Sequence, residues 1–180
     1  MAELVQQRYA KALFEVAIEL KREDDFLMRL NGLDRVLKEN PGLLKILKAP
    51  MVSKDEKKTL IDEVFSKRIS VELANFLKVL VDKKRFESFH QIVIKYKELL
   101  NESRNIKEVT AVTAVALSED MRTILSERLK KITGSNIVLH TVVDESLIGG
   151  VLLKIGNKQV DGTVKSRLEG LKDEISAIIA

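Results

Sequence analysis

Few side chains in this sequence have the types and spacing that catalysis or metal binding requires. The two histidines, His90 in a predicted helix and His140 in a predicted strand, lack neighbours spaced as metal ligands or as members of a triad. The chain has no cysteine, which excludes disulfides, thiolate catalysis and cysteine-ligated metals. We therefore expect no catalytic residue, no metal site and no cofactor, and a structural or solvated role for both histidines.

Carboxylates are abundant, but almost all of them occur beside lysine or arginine at helical spacing, where pairing along the helix is the ordinary explanation. Asp144 and Asp161 are the exceptions, since each stands next to a predicted turn. Each is expected to accept hydrogen bonds from backbone N–H groups at a turn or a helix start. Neither GxGxxG nor GxxxxGK[S/T] occurs, so the sequence contains no known phosphate-binding loop.

Glycines are concentrated in residues 143–171, which hold five of the eight in the chain. The pair Gly149 and Gly150 permits a sharp turn of the backbone with φ > 0. The β-branched and leucine residues that follow predict a strand over residues 151–155. At Gly150 a side chain is expected either to force φ > 0 on a residue with a Cβ or to collide with the neighbouring strand, so these glycines are structural.

The same segment continues with a predicted hairpin and a predicted helix start. Gly156 and the asparagine after it form a two-residue turn into a return strand over residues 158–160. The tripeptide Asp161-Gly162-Thr163 then supplies N-cap oxygens for the last helix. That helix carries one narrow apolar stripe, which we expect its own sheet to bury; the stripe consists of Val164, Leu168, Leu171, Ile175 and Ile178.

The elements that position these residues change character near a polar joint at residues 101–105. Before the joint, the helical spacing of apolar residues predicts six helices, at about residues 4–22, 25–39, 42–48, 54–67, 71–83 and 86–100. The segment Ser53-Lys-Asp-Glu56 predicts a capping box that starts the fourth of them. After the joint, strands at 106–115 and 137–143 flank a helix over 119–133 that Gly134 ends. We therefore predict an α+β fold, with an N-terminal six-helix bundle over residues 1–104 and a small α/β C-terminal domain over residues 105–180.

The first predicted helix has more apolar surface than one packing face needs. Its apolar side chains cover roughly 240° of the helix, whereas packing on one side of a bundle uses little more than about 100°. Two explanations stay open at this point. The helix is either buried centrally in the bundle, or it lines a docking groove for a partner.

Composition and charge argue against nucleic acid and against a membrane-spanning chain. The 31 basic and 27 acidic residues leave a net charge of +4, and the basic runs at residues 54–58 and 82–85 are interrupted by acids, which is typical of solvated helix faces. No apolar run approaches the length of about 20 residues that crosses a bilayer, and the N-terminus lacks a targeting pattern. We expect a soluble chain without a targeting segment, held at any membrane by other proteins.

The glycine-rich segment resembles the C-terminal hallmark of the delta subunit of F-type ATP synthases, known in mitochondria as the oligomycin sensitivity-conferring protein. The family pattern is a hydrophobic-acidic pair, a spacer, two small residues ending in glycine, an apolar strand, a turn, and a DG(S/T) helix start. This chain carries it as Val143-Asp144, Gly149-Gly150, Val151–Ile155 and Asp161-Gly162-Thr163.

Two N-terminal motifs resemble the same family. Residues 8–17 are similar to its pattern Tyr-Ala-x-Ala-(Leu/Ala)-(Phe/Tyr), and residues 75–80 with Arg85-Phe86 are similar to its fifth-helix motif. Residues 24–71 match only in helix count and pattern. The resemblance implies that the first and fifth helices form a groove for an amphipathic N-terminal helix of an alpha subunit; by position this groove comprises Tyr9, Ala12, Leu13, Val16, Asn75, Val79 and Leu80.

The resemblance implies a non-catalytic stator subunit that links the catalytic alpha/beta head to the peripheral stalk. The helical bundle would cap the head, and the C-terminal domain would hold the C-terminal end of the b subunit, with Leu147, Ile148 and Leu152 as candidate contacts. One copy per complex would lie at the cytoplasmic face of the plasma (inner) membrane, attached through its partners and without nucleic acid. A basic RNA- or ribosome-associated adaptor and a small regulatory enzyme are the alternatives.

Overall fold

The computed structural model of the protein describes residues 2–65, 69–156 and 158–179, with side chains described for residues 3–65, 69–156 and 158–172. The chain forms two compact units, Met1–Leu100 and Asn101–Ala180. The first unit is helical, and the second contains a four-stranded sheet with helices. The α+β class is therefore confirmed.

Helices make up the first unit, and a short 3-10 turn at Phe86–Ser88 precedes the last of them. The helices are α1 Ala2–Glu19, α2 Glu23–Glu39, α3 Pro41–Lys48, α4 Lys54–Phe65, α5 Val71–Asp82 and α6 Phe89–Ser103. Their bounds differ from the predicted ones by a few residues, and the predicted end of α4 at Lys67 lies outside the described residues. The six-helix bundle is a more specific prediction than the α+β class, and it stays a prediction.

The polar joint was predicted at residues 101–105, but α6 continues through most of it to Ser103. Asparagine and glutamate are tolerated in a last helical turn, where their side chains reach solvent, so polarity alone did not mark the end of the helix. The chain turns at Asn105, whose φ is +51°. The side chain of Asn105 donates to Gly134 O at 2.9 Å and accepts from Ser135 Oγ at 2.8 Å.

A continuous apolar core holds the first unit together. On α2, Phe26, Leu30, Leu33 and Leu37 are buried at spacings of four and three, the period of one helix face. Tyr96 of α6 is fully buried, and its hydroxyl donates to Glu23 O at 3.1 Å, which satisfies the polar end of the ring. The ring centroid of Tyr96 lies 5.5 Å from that of Phe14, edge to face, so α1, α2 and α6 meet at this tyrosine.

Local sequence signals set two of the helix ends as predicted, the start of α4 and the end of the first helix in the second unit. At the start of α4, Ser53 N donates to Glu56 Oε2 at 2.9 Å and Glu56 N donates to Ser53 Oγ at 3.2 Å, which confirms the reciprocal capping box. At the end of α7, which spans Glu119–Thr133, Gly134 adopts φ +66° and donates its N–H to Lys130 O. The predicted glycine cap is thus confirmed.

The second unit contains the strands β1 Ile106–Thr113, β2 Asn136–Val143, β3 Val151–Ile155 and β4 Lys158–Asp161, and the helices α7 and α8 Val164–Ile179. The strand order is β2-β1-β3-β4, with β1 parallel to β2 and antiparallel to β3. The strands β3 and β4 pair from Ile155↔Lys158 onward, which confirms a two-residue hairpin turn. Gly156 begins that turn with φ +55°, while Asn157 lies outside the described residues.

Among the residues whose side chains the structure describes, the core of the second unit is small. Val109, Ala111 and Thr113 are buried on one face of β1, because alternate residues of a strand share a face, and Leu129 of α7 is buried too. The expectation that the sheet buries the stripe of α8 is wrong for its described part: Val164, Leu168 and Leu171 are 38–57% exposed. The side chains of Ile175 and Ile178 lie outside the described residues. A periodic stripe shows that a helix has an apolar face but not what covers it.

Within the part of the chain that the structure describes, no helix has both the length and the apolar run that a bilayer crossing needs.

Candidate functional site

Only one face of α1 is used by the core. Ala10, Leu13, Phe14 and Ala17 are buried, and their spacing of three and four residues places them on one side of the helix. The central-burial explanation for the wide apolar arc is therefore wrong. Val16 is 37% exposed, so the arc extends past the core onto the surface.

Part of this exposed arc reaches α5 through Tyr9. Tyr9 is half-buried, and its ring contacts that of Phe76 edge to face, with centroids 6.4 Å apart. Helical spacing places Ala12 and Val16 on the Tyr9 side of α1, and both are exposed. We call the α1–α5 surface the set formed by Tyr9, Ala12, Val16, Asn75, Phe76 and Val79.

On α5, Asn75 is exposed and Val79 is 43% exposed, while Phe76 between them is half-buried against Tyr9. Leu13 and Leu80, which the resemblance also assigned to the groove, are buried in the core and do not form part of the exposed surface. Sequence reasoning omitted Phe76 from the groove, although the residue stands inside the quoted motif next to Asn75. An aromatic rim, small and branched aliphatic side chains and one amide suit the apolar face of a helix and offer no acid–base chemistry.

In the second unit, the glycine pair and the start of α8 pack backbone against backbone. Gly162 N donates to Val151 O and Val164 N donates to Gly149 O, both at 3.0 Å. Gly150 has φ +86°, and a Cβ built on it would lie 2.4 Å from Gly162 O. The positive φ expected at Gly150 is confirmed, but the close approach is to the backbone between β4 and α8 and not to the neighbouring strand. The sequence left a positive φ open at both glycines, and of the two Gly150 alone has one.

Asp144 and Asp161 accept the turn hydrogen bonds predicted for them. Asp144 Oδ1 accepts from Ser146 Oγ at 2.6 Å and from Ser146 N at 3.0 Å. Asp161 Oδ1 accepts from Thr163 N at 2.9 Å, and Thr163 Oγ1 in turn accepts from Ser166 N in the first turn of α8. These donors stabilise the ionised carboxylates and so hold the pKa of both groups below their ordinary values.

Substituting Ser146 with alanine is expected to raise the pKa of Asp144 toward its ordinary value, because the hydroxyl is the largest cause of the lowering. The carboxyl ¹³C shift of Asp144, followed against pH, measures this. Asp161 is the internal control, since its donors are the backbone and side chain of Thr163. An unchanged midpoint for Asp144 would contradict the assigned cause.

The sign of the pH dependence follows from the same two carboxylates. A carboxyl whose pKa is lower in the folded state stabilises that state above about pH 4, the ordinary value in the unfolded chain. This contribution is lost as the pH falls through the lowered folded-state value. We therefore expect Asp144 and Asp161 to make the turn regions of the second unit acid-sensitive, and Asp161→Asn to reduce that sensitivity.

The histidines do not form a reactive site with other groups. His90 is exposed, and its Nδ1 lies 3.0 Å from both carboxylate oxygens of Asp34, which also pairs with Lys38. His140 is exposed on β2. Among the described residues, no group of three or more histidine, cysteine, aspartate or glutamate side chains is arranged to hold a metal ion.

The second unit exposes a large amount of apolar surface. Of the three contacts that the sequence suggested, Ile148 is 75% exposed, while Leu147 and Leu152 are half-buried. Sequence reasoning missed the exposed stripe of α8, because its spacing is also that of a buried face. Exposed apolar surface of this kind is typical of protein interaction sites.

Known proteins of one family match this chain over almost its whole length. The profile of the family described as ATP synthase delta (OSCP) subunit matches residues 5–175. ATP synthase subunit delta of Clostridioides difficile (strain 630) is 40% identical over 181 residues, covering 100% of both chains. ATP synthase subunit delta of Lactobacillus gasseri is 34% identical, covering 96% of this chain and 95% of the relative.

A solved structure shares the fold. A chain in the cryo-EM structure of the Toxoplasma gondii mitochondrial ATP synthase hexamer aligns with a TM-score of 0.68 at 18% identity. The alignment covers 94% of this chain and 96% of that chain.

Proposed function

Because the chain belongs to the ATP synthase delta (OSCP) subunit family, we propose that its two units bind two different partners within the F-type ATP synthase. The protein is a structural, non-catalytic subunit of the peripheral stalk, and it is a peripheral part of a membrane-bound complex. What remains to be assigned is which surface of the chain takes which partner.

We assign the N-terminal helix of an alpha subunit to the α1–α5 surface. The observation that carries this assignment is the apolar arc of α1, which the core uses on one side only, with Val16 and Val79 left exposed beside the Tyr9–Phe76 contact. An amphipathic helix lays its apolar face into such a groove, and the methyl side chain of Ala12 lets it approach closely.

The substitution Ala12→Asp tests this assignment. It would place a carboxylate in an interface that loses its water on binding, and we expect the affinity for a peptide copying the N-terminus of an alpha subunit to fall at least about a hundredfold. The fold should change little, because Ala12 is exposed on a helix surface. Titration calorimetry with the full chain measures the affinity, and circular dichroism checks the fold.

Gln7→Asp is the matched control, since it adds the same residue at another exposed position of α1. Five residues of helix place Gln7 roughly 140° away from Ala12 around the axis, outside the proposed groove. We expect Gln7→Asp to bind the peptide as wild type does. Equal loss of affinity in both variants, or no loss in either, would place the alpha-subunit site elsewhere.

We assign the C-terminal end of the b subunit to the second unit. Ile148 and the exposed stripe of α8 at Val164, Leu168 and Leu171 support this, because they offer apolar surface that the unit's own small core does not use. The proposed complex contains one copy of the chain, lies at the cytoplasmic face of the plasma (inner) membrane and involves no nucleic acid.

Binding at both ends gives the subunit a mechanical role. The rotor would turn the catalytic head as well unless a stator tied the head to the membrane sector. The connection must therefore persist under torque, which requires affinities in the nanomolar range or better, about 12 kcal/mol at each interface.

A further inference from the structure

The two basic runs of the sequence, which look like separate solvated helix faces, converge in the first unit. Lys54 and Lys57 come from the start of α4, Lys84 follows α5, and Lys48 ends α3. All four lysines line one cavity of about 420 Å³. This volume lies within the range of about 300–1,000 Å³ that is typical of small-molecule sites.

The cavity combines an apolar floor with a cationic rim. Leu47, Val81 and Phe86 line it and are buried, so they belong to the packed core of the unit. Glu87 is the one carboxylate among its described lining residues, against four lysines. The lining therefore carries a net charge of +3 above an apolar base.

Lys57 is buried, with only 9% of the residue exposed, whereas the other three lysines are exposed. Its Nζ donates to Ala49 O at 2.7 Å, which anchors the end of α3. No carboxylate among the described residues forms an ion pair with it. Asp82 is paired with Lys58 Nζ at 2.8 Å, and among the cavity lysines it interacts electrostatically with Lys54. A buried ammonium group paired only with a carbonyl is stabilised further by an anion.

We propose that this cavity binds a small amphiphilic anion, in which a phosphate or carboxylate group is attached to an apolar body. The lysines bind the charged group, and Leu47, Val81 and Phe86 contact the apolar body. The site shares no residue with the α1–α5 surface, so it does not depend on the partner assignments above.

The backbone provides a clean way to remove one of the cations. Lys84 has φ +55°, a left-handed conformation that glycine adopts without strain, so Lys84→Gly removes the ammonium group and preserves the turn. Lys21 is a matched control with φ +53° after α1, outside the cavity. In both turns the lysine N–H donates to the carbonyl three residues earlier at 3.0 Å.

The test titrates the full chain with monomeric decyl phosphate, decanol and inorganic phosphate, and follows ¹⁵N amide shifts. We expect decyl phosphate to shift amides around the cavity, such as Val52 and Glu87, and the other two to bind at least about tenfold more weakly. Lys84→Gly should weaken decyl phosphate binding about fivefold, the effect of one partly screened charge contact, while Lys21→Gly changes nothing.

Sedimentation with two kinds of lipid vesicle shows whether the natural anion is a lipid or a soluble molecule. If the chain binds monomeric decyl phosphate and also sediments with phosphatidylglycerol vesicles, but not with phosphatidylcholine vesicles, in a Lys84-dependent way, the natural ligand is a lipid. If it binds only the monomer, the ligand is a soluble anion. The proposal is overturned if Lys84→Gly and Lys21→Gly bind decyl phosphate equally, if the shifted amides lie on α8, or if only vesicles bind.

Discussion

The substitution Gly150→Ala is expected to unfold the second unit under conditions in which the first stays folded. At φ +86° a residue with a Cβ is strained by about 1–3 kcal/mol. The new Cβ would also lie 2.4 Å from Gly162 O and 2.8 Å from Thr163 Cα, and both of these are backbone atoms. Because neither neighbour can rotate away, the total cost should reach at least about 4 kcal/mol, which is exceptional for one methyl group.

Hydrogen exchange resolves this effect by unit, since the amides of β1–β4 report on the second unit alone. Both tyrosines of the chain, Tyr9 and Tyr96, lie in the first unit, so tyrosine fluorescence reports on that unit separately. Gly134→Ala is the matched control: φ is +66° there, but nothing lies within 4 Å of the added Cβ. It should cost only about 1–2 kcal/mol. Equal protection in the two variants would show that the close approach at Gly150 relaxes without cost.

Truncation after Asn105 is expected to separate the two binding activities completely. The fragment keeps α6 intact to Ser103, so it should bind the alpha-subunit peptide as the full chain does. It should not bind the b subunit, a loss of about 12 kcal/mol if that interface is nanomolar. In a reconstitution with purified subunits, ATP hydrolysis by the head should then continue without being coupled to proton pumping.

A point variant complements the truncation, because removing 75 residues changes more than one surface. Leu168 is 57% exposed on α8, so Leu168→Asp should leave the fold intact and weaken b-subunit binding without altering alpha-subunit binding. The proposed division of labour is wrong if the fragment binds b with full affinity, or if the intact chain alone hydrolyses nucleotide.

Sequence-based predictions succeeded where the signal was local. The capping box at Ser53 and Glu56, the glycine cap at Gly134 and the hairpin that begins at Gly156 all depend on residues within about four positions of each other. Gly150 was recognised as a constrained position for a related reason, since a glycine pair before an apolar strand signals an unusual backbone conformation.

Long-range contacts decided the features that the sequence did not predict correctly. Periodicity showed that α1 has a wide apolar arc, but the core covers only the side that carries Leu13 and Ala17. It also showed the stripe of α8, which the sheet leaves exposed at Leu168. Lysines some thirty positions apart, such as Lys54 and Lys84, meet in one cavity only because α4 and α5 pack together.

The small core of the second unit bears on the number of copies that persist in a cell. A unit that exposes Ile148 and Leu168 while burying few side chains resembles a partly folded chain until a partner covers that surface. Chaperones and proteases select chains on this feature. We therefore expect copies left without a partner to be cleared faster than assembled ones, so that the complex itself sets the abundance of its connector.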